Sequence, residues 1–328
     1  MRIVLDAMGT DGAPESEVAG AVRAVRELEK DFEIVLVGNQ ETLQAEVARH
    51  DDFPRDRLHF EHAPDRVLPG EAPASVLRKR PESSIVKGLL LQKEGQADAF
   101  VSAGSTGAVM AASLFILKPL EGVDRPAIGT VLPTAKEPVL MLDAGANVDC
   151  KPHHLVQFAH LGNIYAQDLM GRERPRIGLV NVGEEPEKGD ELALEAHQRL
   201  ASDPRLRFVG NIEGSKVIEG TYDVLVCDGF VGNVLLKFYE ASAQFIVGYL
   251  RRHLERAGAQ LDLDAALDVL DYSQYGGAPL LGVNGVCIIC HGNSSPNAIR
   301  NAIRVAAQAV RISTVEHTAR ELSSEEPE

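Results

Sequence analysis

Short apolar runs that close on an acidic, amide or hydroxyl residue, followed by a glycine, recur along this chain. Arg2 to Leu5 closes on Asp6 ahead of Gly9, Asp98 to Val101 on Ser102 and Gly104, and Val139 to Leu142 on Asp143, Gly145 and Asn147. Arg176 to Asn181 meets Gly183, Val224 to Val226 meets Cys227, Asp228 and Gly229, and Gly285 to Ile289 meets Cys290, His291 and Gly292. Apolar runs without alternation predict strands covered on both faces. Further strands are predicted at Glu33 to Val37, Leu58 to Phe60, Ile128 to Leu132 and Leu206 to Val209.

Between these runs the apolar spacing changes to that of helices. Val18, Val22, Val25 and Leu28 follow Glu15 at helical intervals, and further helices are predicted at Glu41 to Arg49, from Ser83 or Ser84 to Glu94, after Ala108, and at Asp190 to Leu200. Proline at a first helical position opens two more, Pro152 to Leu169 and Pro296 to about Ile312. The alternation predicts an α/β protein with a mostly parallel sheet. If the strands are parallel, the glycine turns all lie along one edge of that sheet, where open α/β sheets hold their ligands.

The stretch Asp223 to Asn233 is the most pointed of these turns, a buried strand ending in Asp-Gly that reopens as a long helix. Its glycines and the positive end of the helix predict an anion site. In that helix Lys237, Glu240, Gln244 and Arg251 leave only a narrow polar stripe, which predicts burial in a core or an oligomer interface. A second reading rests its distal end, with Arg251, Arg252 and Arg256, on an anionic membrane surface.

Length and composition narrow the class. At 328 residues the chain can bury a full core, as one large α/β domain over 1–315 or as two smaller lobes, and the acidic stretch 316–328 is predicted to be a disordered tail. A net charge of -15, no tryptophan and 5% aromatics argue against nucleic-acid binding. No signal-peptide pattern and no membrane-length apolar run is present, which predicts a cytoplasmic protein with its four cysteines reduced.

Several short motifs are discounted. Cys287-Ile288-Ile289-Cys290-His291 fits a haem-attachment pattern, but residues three apart on a strand face opposite sides of the sheet. His153, His154 and His160 lack metal-ligand spacing, so no metal site is predicted. There is no dinucleotide fingerprint, P-loop or nucleophile elbow.

Taken together, the turns resemble those of the PlsX family, bacterial phosphate acyltransferases. The resemblance runs through Leu-Asp-Ala-Met-Gly at 5–9, Ser-Ala-Gly-Ser-Thr-Gly-Ala at 102–108, Asp-Ala-Gly-Ala-Asn-Val-Asp-Cys at 143–150 and Asn-Val-Gly-Glu-Glu at 181–185 with Lys188-Gly189. It continues through Cys-Asp-Gly-Phe-Val-Gly-Asn at 227–233 and Tyr-Gly-Gly-Ala-Pro-Leu-Leu-Gly-Val-Asn-Gly at 275–285, and so covers nearly the whole chain. Thr10, where a glycine is usual, and Cys290, where serine is common, depart from the pattern.

The resemblance implies a three-layer α/β/α sandwich with two intertwined subdomains, similar to isocitrate and isopropylmalate dehydrogenases and to phosphate acetyltransferase, and usually a homodimer. It implies transfer of a fatty acyl group from acyl-carrier protein to inorganic phosphate, with no cofactor, feeding the membrane acyl-phosphate:glycerol-3-phosphate acyltransferase and phospholipid synthesis. Fold alone does not separate this from an NAD-dependent dehydrogenase. A non-catalytic carrier-protein-binding scaffold is the other alternative.

Phosphate is already a nucleophile, so the site must hold it and stabilise an oxyanion. On this reading Lys188, Asn233 and His291 are the catalytic candidates. Lys188 brings charge and Asn233 orients the anion. His291 protonates the leaving thiolate or holds phosphate, since histidine ordinarily titrates near neutrality. Ser105, Thr106, Asn147 and the backbone at Gly229 and Gly232 would contact phosphate or pantetheine, and Asp6, Asp143 and Asp228 would brace loops. Arg78, Lys79 and Arg80 would meet the acidic carrier protein.

Overall fold

The computed structural model describes residues 1–68, 70–73, 76–257 and 272–323. They form two compact units: the first from Met1–Pro126 and Tyr275–Glu328, the second from Ala127–Gln274.

The first unit is built from β1 (Arg2–Asp6), α1 (Glu15–Glu27), β2 (Glu33–Gly38), α2 (Gln40–Val47), β3 (Leu58–His62), α3 (Val76–Lys79), α4 (Ser84–Lys93), β4 (Ala99–Ser102) and α5 (Thr106–Ile116). Between Ala127 and Gln274 the second unit supplies β5 (Ala127–Ile128), β6 (Thr130–Leu132), β7 (Val139–Leu142), α6 (Pro152–Met170), β8 (Arg176–Asn181), α7 (Glu191–Ser202), β9 (Arg207–Glu213), β10 (Val224–Val226) and α8 (Gly229–Ala257). The chain then returns to the first unit with β11 (Ala278–Leu281), β12 (Val286–Ile289), α9 (Pro296–Arg311) and α10 (Thr314–Ser323).

In the first unit the strands run in the order β3-β2-β1-β4-β12-β11, parallel except for β11 against β12. Side chains alternate across a strand, which gives each face its own cover. Ile3, Leu5, Ala99 and Val101 join Val18, Val22, Ile299 and Ile303 of α1 and α9 in one core. On the other face Gly88 of α4 sits so tightly on Phe100 and Val4 that a Cβ there would come within 2.5 Å of the Phe100 ring. The result is helix, sheet, helix.

The second unit orders its strands β6-β7-β10-β8-β9, again parallel but for β6. Gly162 of α6 packs onto Val224 and Leu142 with no room for a larger residue. The α/β class and the mostly parallel pairing are as the sequence predicts.

Four expectations change. The glycine turns occupy two sheets rather than one, three on each. The strand expected over Ile128 to Leu132 is interrupted at Gly129 into β5 and β6. β11 is an additional strand that the sequence pattern did not predict; it contains Pro279 and pairs antiparallel with β12. The predicted tail is helical as far as Ser323, because Thr314, Thr318 and Leu322 bury one side of α10. Residues 324–328 lie outside the described residues.

Candidate functional site

Registers align the carboxyl ends of the central strands in each sheet. In the first unit Asp6 pairs with Ser102 across β1 and β4, and Ser102 with Ile289 across β4 and β12. β1 leads toward β2 on one side while β4 lies on the other, so the crevice between their ends is the switch point where α/β ligands bind.

Asp6 is buried there. Its carboxylate accepts the Ser102 hydroxyl at 2.6 Å and the Met8 N–H at 3.1 Å, and Ser102 Oγ in turn accepts the Gly104 N–H at 3.0 Å. Burial raises the Asp6 pKa, while hydrogen bonds from Ser102, Ser84 and Met8 and the charge of Arg66 oppose the rise. Gly9 lies against the Ser102–Ser105 turn so closely that a Cβ would stand 2.5 Å from Gly104 N. The third turn joins through Cys290 N–H to Ser102 O and Asp11 N–H to Gly292 O, both 2.8 Å. Asp6, Ser105, Thr106 and His291 are thus carried on three interlocked turns.

α5 starts from this edge. Ser105 occupies its N-cap position, yet the hydroxyl caps no backbone N–H, and there is no acidic residue in the first turn. The backbone N–H groups of Thr106, Gly107 and Ala108 have no acceptor among the described residues. Several other helix starts are closed: Asn39 caps α2, Ser83 α4, Asp190 α7 and Ser295 α9, and α1 carries Glu15 and Glu17 in its first turn. An uncapped helix start with half-buried Ser105 and exposed Thr106 is a place for an anion.

The second unit uses the same residue types differently. Asp143, fully buried, accepts the N–H groups of Ile128 (3.1 Å), Gly145 (3.2 Å), Ala146 (3.0 Å) and Asn147 (2.6 Å), and the Asn147 side-chain amide at 3.0 Å. Burial pushes its pKa up against these bonds. Asp228 caps α8 by accepting Phe230 and Val231 N–H at 2.8 and 2.9 Å.

This closes off part of the predicted anion contact. The Gly229 N–H donates to Asn147 O at 2.7 Å and the Gly232 N–H to Asp228 O at 3.0 Å. Both are glycines because the chain passes too close: a Cβ on Gly229 would lie 2.8 Å from Asn147 O, and one on Gly232 would overlap Asp143 O. Asn147 is buried with its amide on Asp143. These three residues therefore build the turn, and the donors expected to meet phosphate already have partners.

Two catalytic candidates of this unit remain open. Asn233 is exposed, with only a long 3.4 Å contact from its amide to Ala144 O. Lys188 is exposed on the turn after β8, two strands from β7, and its ammonium makes no ion pair among the described residues. The Asn181 amide fixes that turn by donating to Lys188 O at 2.9 Å. Glu184, on the same turn, pairs with Lys216. No hydrogen bond joins Lys188 to Asn233.

In the basic cluster, Arg80 is held by Glu71 at 3.0 Å and Asp65 at 3.1 Å. That leaves exposed Arg78 and Lys79 to meet a partner. The cysteines are free. Cys287 faces Ser113 of α5 while Cys290 lies in the core on the α1 side, and burial pushes both thiols up to about 12. His154 turns inward to accept the Lys151 N–H at the start of α6.

One residue that pattern reading missed also lies at this edge. Glu17 of α1 reads as an ordinary first-turn acid, but it is fully buried, and its carboxylate takes Thr10 N–H at 2.6 Å and Thr10 Oγ1–H at 2.8 Å. Only the odd placement of an acid inside an otherwise apolar helix face signals it.

Parallel sheets with glycine turns on their carboxyl edges and an uncapped helix start define an α/β enzyme built to handle an anionic group. Solved structures of this fold include a phosphotransacetylase from Streptococcus pyogenes (TM-score 0.62, 18% identity, covering 95% of this chain and 94% of that one). EutD phosphotransacetylase from Staphylococcus aureus is similar (TM-score 0.60, 17% identity, 94% of each chain). A putative 4-hydroxythreonine-4-phosphate dehydrogenase from Salmonella typhimurium shares the fold at TM-score 0.55 and 15% identity, covering 94% of this chain and 98% of that one.

Sequence carries the assignment further. The family model described as "Fatty acid synthesis protein" matches residues 1–317. "Phosphate acyltransferase" of Desulforamulus reducens is 50% identical over 94% of both chains, and that of Synechococcus elongatus 48% identical over 96% of this chain and 93% of its own. The chain belongs to the PlsX family of phosphate acyltransferases. It is an acyltransferase with phosphate as acceptor, and the dehydrogenase and scaffold alternatives fall.

Proposed function

We propose that the acyl donor is acyl-acyl-carrier protein and that the product, acyl phosphate, goes on to phosphatidic acid and phospholipid synthesis. The observation that carries this reading is the start of α5, where three backbone N–H groups and the Ser105 and Thr106 hydroxyls have no partner among the described residues beside the β1/β4 crevice. Phosphate held there is aligned by the helix start. One of its oxygens attacks the thioester carbonyl, the carbon–sulfur bond breaks, and the proton displaced from phosphate ends on the leaving thiolate. His291, on the turn beside Ser102, is the proposed carrier of that proton.

In the second unit Lys188 and Asn233 are the exposed members of the predicted catalytic set, the one offering a positive charge and the other an amide donor of the kind that stabilises an oxyanion. No cofactor enters this chemistry. The exposed Arg78 and Lys79 are the proposed docking charges for the acidic carrier protein.

α8 supports a further part of the proposal. Phe238 and Phe245 are 72% and 67% exposed in the single chain, with Val234, Ile246 and Tyr249 also open, which favours a homodimer through this helix over a solvated one. No helix among the described residues is long and apolar enough to cross a membrane. A cytoplasmic enzyme with peripheral contact to the membrane, where the acyl-phosphate:glycerol-3-phosphate acyltransferase consumes the product, is the corresponding location.

Thiol release from acyl-acyl-carrier protein, followed with and without inorganic phosphate, tests the reaction. Release that requires phosphate, with acyl phosphate trapped by hydroxylamine, is the expected result. Equal release without phosphate removes the reading. Unchanged turnover in alanine variants of Lys188, Asn233 and His291 alike would remove their assigned roles.

A further inference from the structure

Acidic side chains in the first turn of a helix ordinarily stand in water beside the positive helix end. Glu17 does not: none of it is exposed, and its two oxygens are both engaged by Thr10, itself 4% exposed. Burying a carboxyl is unfavourable unless its hydrogen bonds are made. Those bonds reach the middle of the turn between β1 and α1. On one side of Thr10, Gly9 is pressed onto Gly104 and Ala103 of the turn that precedes Ser105. On the other, Asp11 N–H donates to Gly292 O, one residue beyond His291.

The ionisable groups facing this carboxyl are few. Asp6 of β1 adds to the rise in its pKa, and the Cys290 thiol after β12 feels its charge. Burial is the larger cause and lifts Glu17 to about 7, against the pull of the Thr10 bonds.

We propose that Glu17 is a positioning residue for acyl transfer: by clamping Thr10 it sets the spacing between the Ser105 turn, through Gly9, and the His291 turn, through Asp11. This rests on the assignment of those two turns to the phosphate site. Glu17 touches no substrate. Its contribution passes through the backbone of one turn into both halves of the crevice.

Full-length Glu17→Met and Glu17→Gln variants separate this role from packing. Methionine fills the space without accepting a hydrogen bond, whereas glutamine keeps an acceptor for the Thr10 N–H and a donor for its hydroxyl. With both variants folded by circular dichroism, Glu17→Met is expected to lower kcat/KM for phosphate by about tenfold, with KM for acyl-acyl-carrier protein within about twofold of wild type. Glu17→Gln is expected to recover to within about threefold of wild type. Should Glu17→Met fail to fold, Thr10→Val reads the clamp from its other side, with an expected loss of about threefold. Wild-type kcat/KM in a folded Glu17→Met, or in Thr10→Val, overturns the proposal. Equal losses in the Met and Gln variants for both substrates also overturn it. Ser105→Ala and His291→Ala are measured alongside. If these lose phosphate turnover and Glu17→Met does not, only the present proposal falls; if neither loses it, the phosphate-site assignment falls first.

Discussion

Asp6 and Asp143 stand at matching places, each at the carboxyl end of a central parallel strand, each buried, each with its pKa raised by burial and held back by hydrogen bonds. Their turns end up opposite in character. Asp143 draws four backbone N–H groups and an amide onto itself, Asn147 takes the Gly229 N–H, and Asp228 closes the start of α8. Asp6 takes one backbone N–H and two hydroxyls, and the neighbouring helix α5 begins uncapped. The second turn is closed on itself and the first keeps donors for something else. A glycine turn after a strand therefore marks an anion site only once the destination of its N–H groups is known.

The contrast can be broken most severely at Gly232. A Cβ there overlaps Asp143 O, so Gly232→Ala is expected to destabilise the protein by about 4 kcal/mol or more in urea melts. Gly12→Ala, with no atom within 4 Å of its added carbon, should stay within about 0.5 kcal/mol. A mild Gly232→Ala would show the second turn to be loose.

Next in size is the pH response of the first unit. Glu17 has a folded pKa of about 7, above its unfolded value of 4.5, so the folded state binds more protons between those values and stability falls as pH rises through that window. The fall is about 3 kcal/mol. Glu17→Gln should flatten it, measured as Tm against pH, and an unchanged slope would place the titration elsewhere.

Ser105→Asp tests the open edge directly. The new carboxylate should cap α5, raising stability by about 1 kcal/mol, and repel phosphate, raising its KM about tenfold. Asp228→Ala, at the closed edge, should lose about 1 kcal/mol with phosphate KM within about twofold of wild type. Equal KM effects at both positions would erase the distinction between the edges.

The smallest effect lies in the second unit and has the opposite pH sign. Burial pushes Asp203 up, but Arg205 and His160, the latter at 2.8 Å, bring it down to about 2. Its stabilisation is present above the usual carboxylate pKa and is lost as pH falls toward 2. Because its partner Arg205 is half exposed and solvent screens the pair, about 1 kcal/mol is expected from Asp203→Ala at neutral pH, shrinking in acid melts.

Much of this was legible in the sequence. Uninterrupted apolar runs located the central strands, and Asp-Gly after β10 marked a helix start. Local pattern could not show that β4 and β10 belong to different sheets, since pairing is set by contacts far apart in the chain. Nor could it show that Gly229 and Gly232 are glycines because Asn147 and Asp143 pass beside them. Thr10 and Cys290 stood out as departures from the family pattern, but that both face a buried Glu17 needed coordinates. α10 was missed because two threonines do part of its burying.

The insertion of the second unit between β4 and β12 has a consequence for how the protein is made. Residues 127–274 are contiguous and leave the ribosome as one stretch, so that unit can fold while synthesis continues. The first unit cannot. Until β12 pairs with β4 and Ile299 and Ile303 of α9 cover α1, its amino-terminal part must wait with an open sheet edge and an uncovered apolar face. The half of the protein that emerges first is thus finished last, and the nascent chain is most exposed to aggregation and most in need of chaperones in that interval.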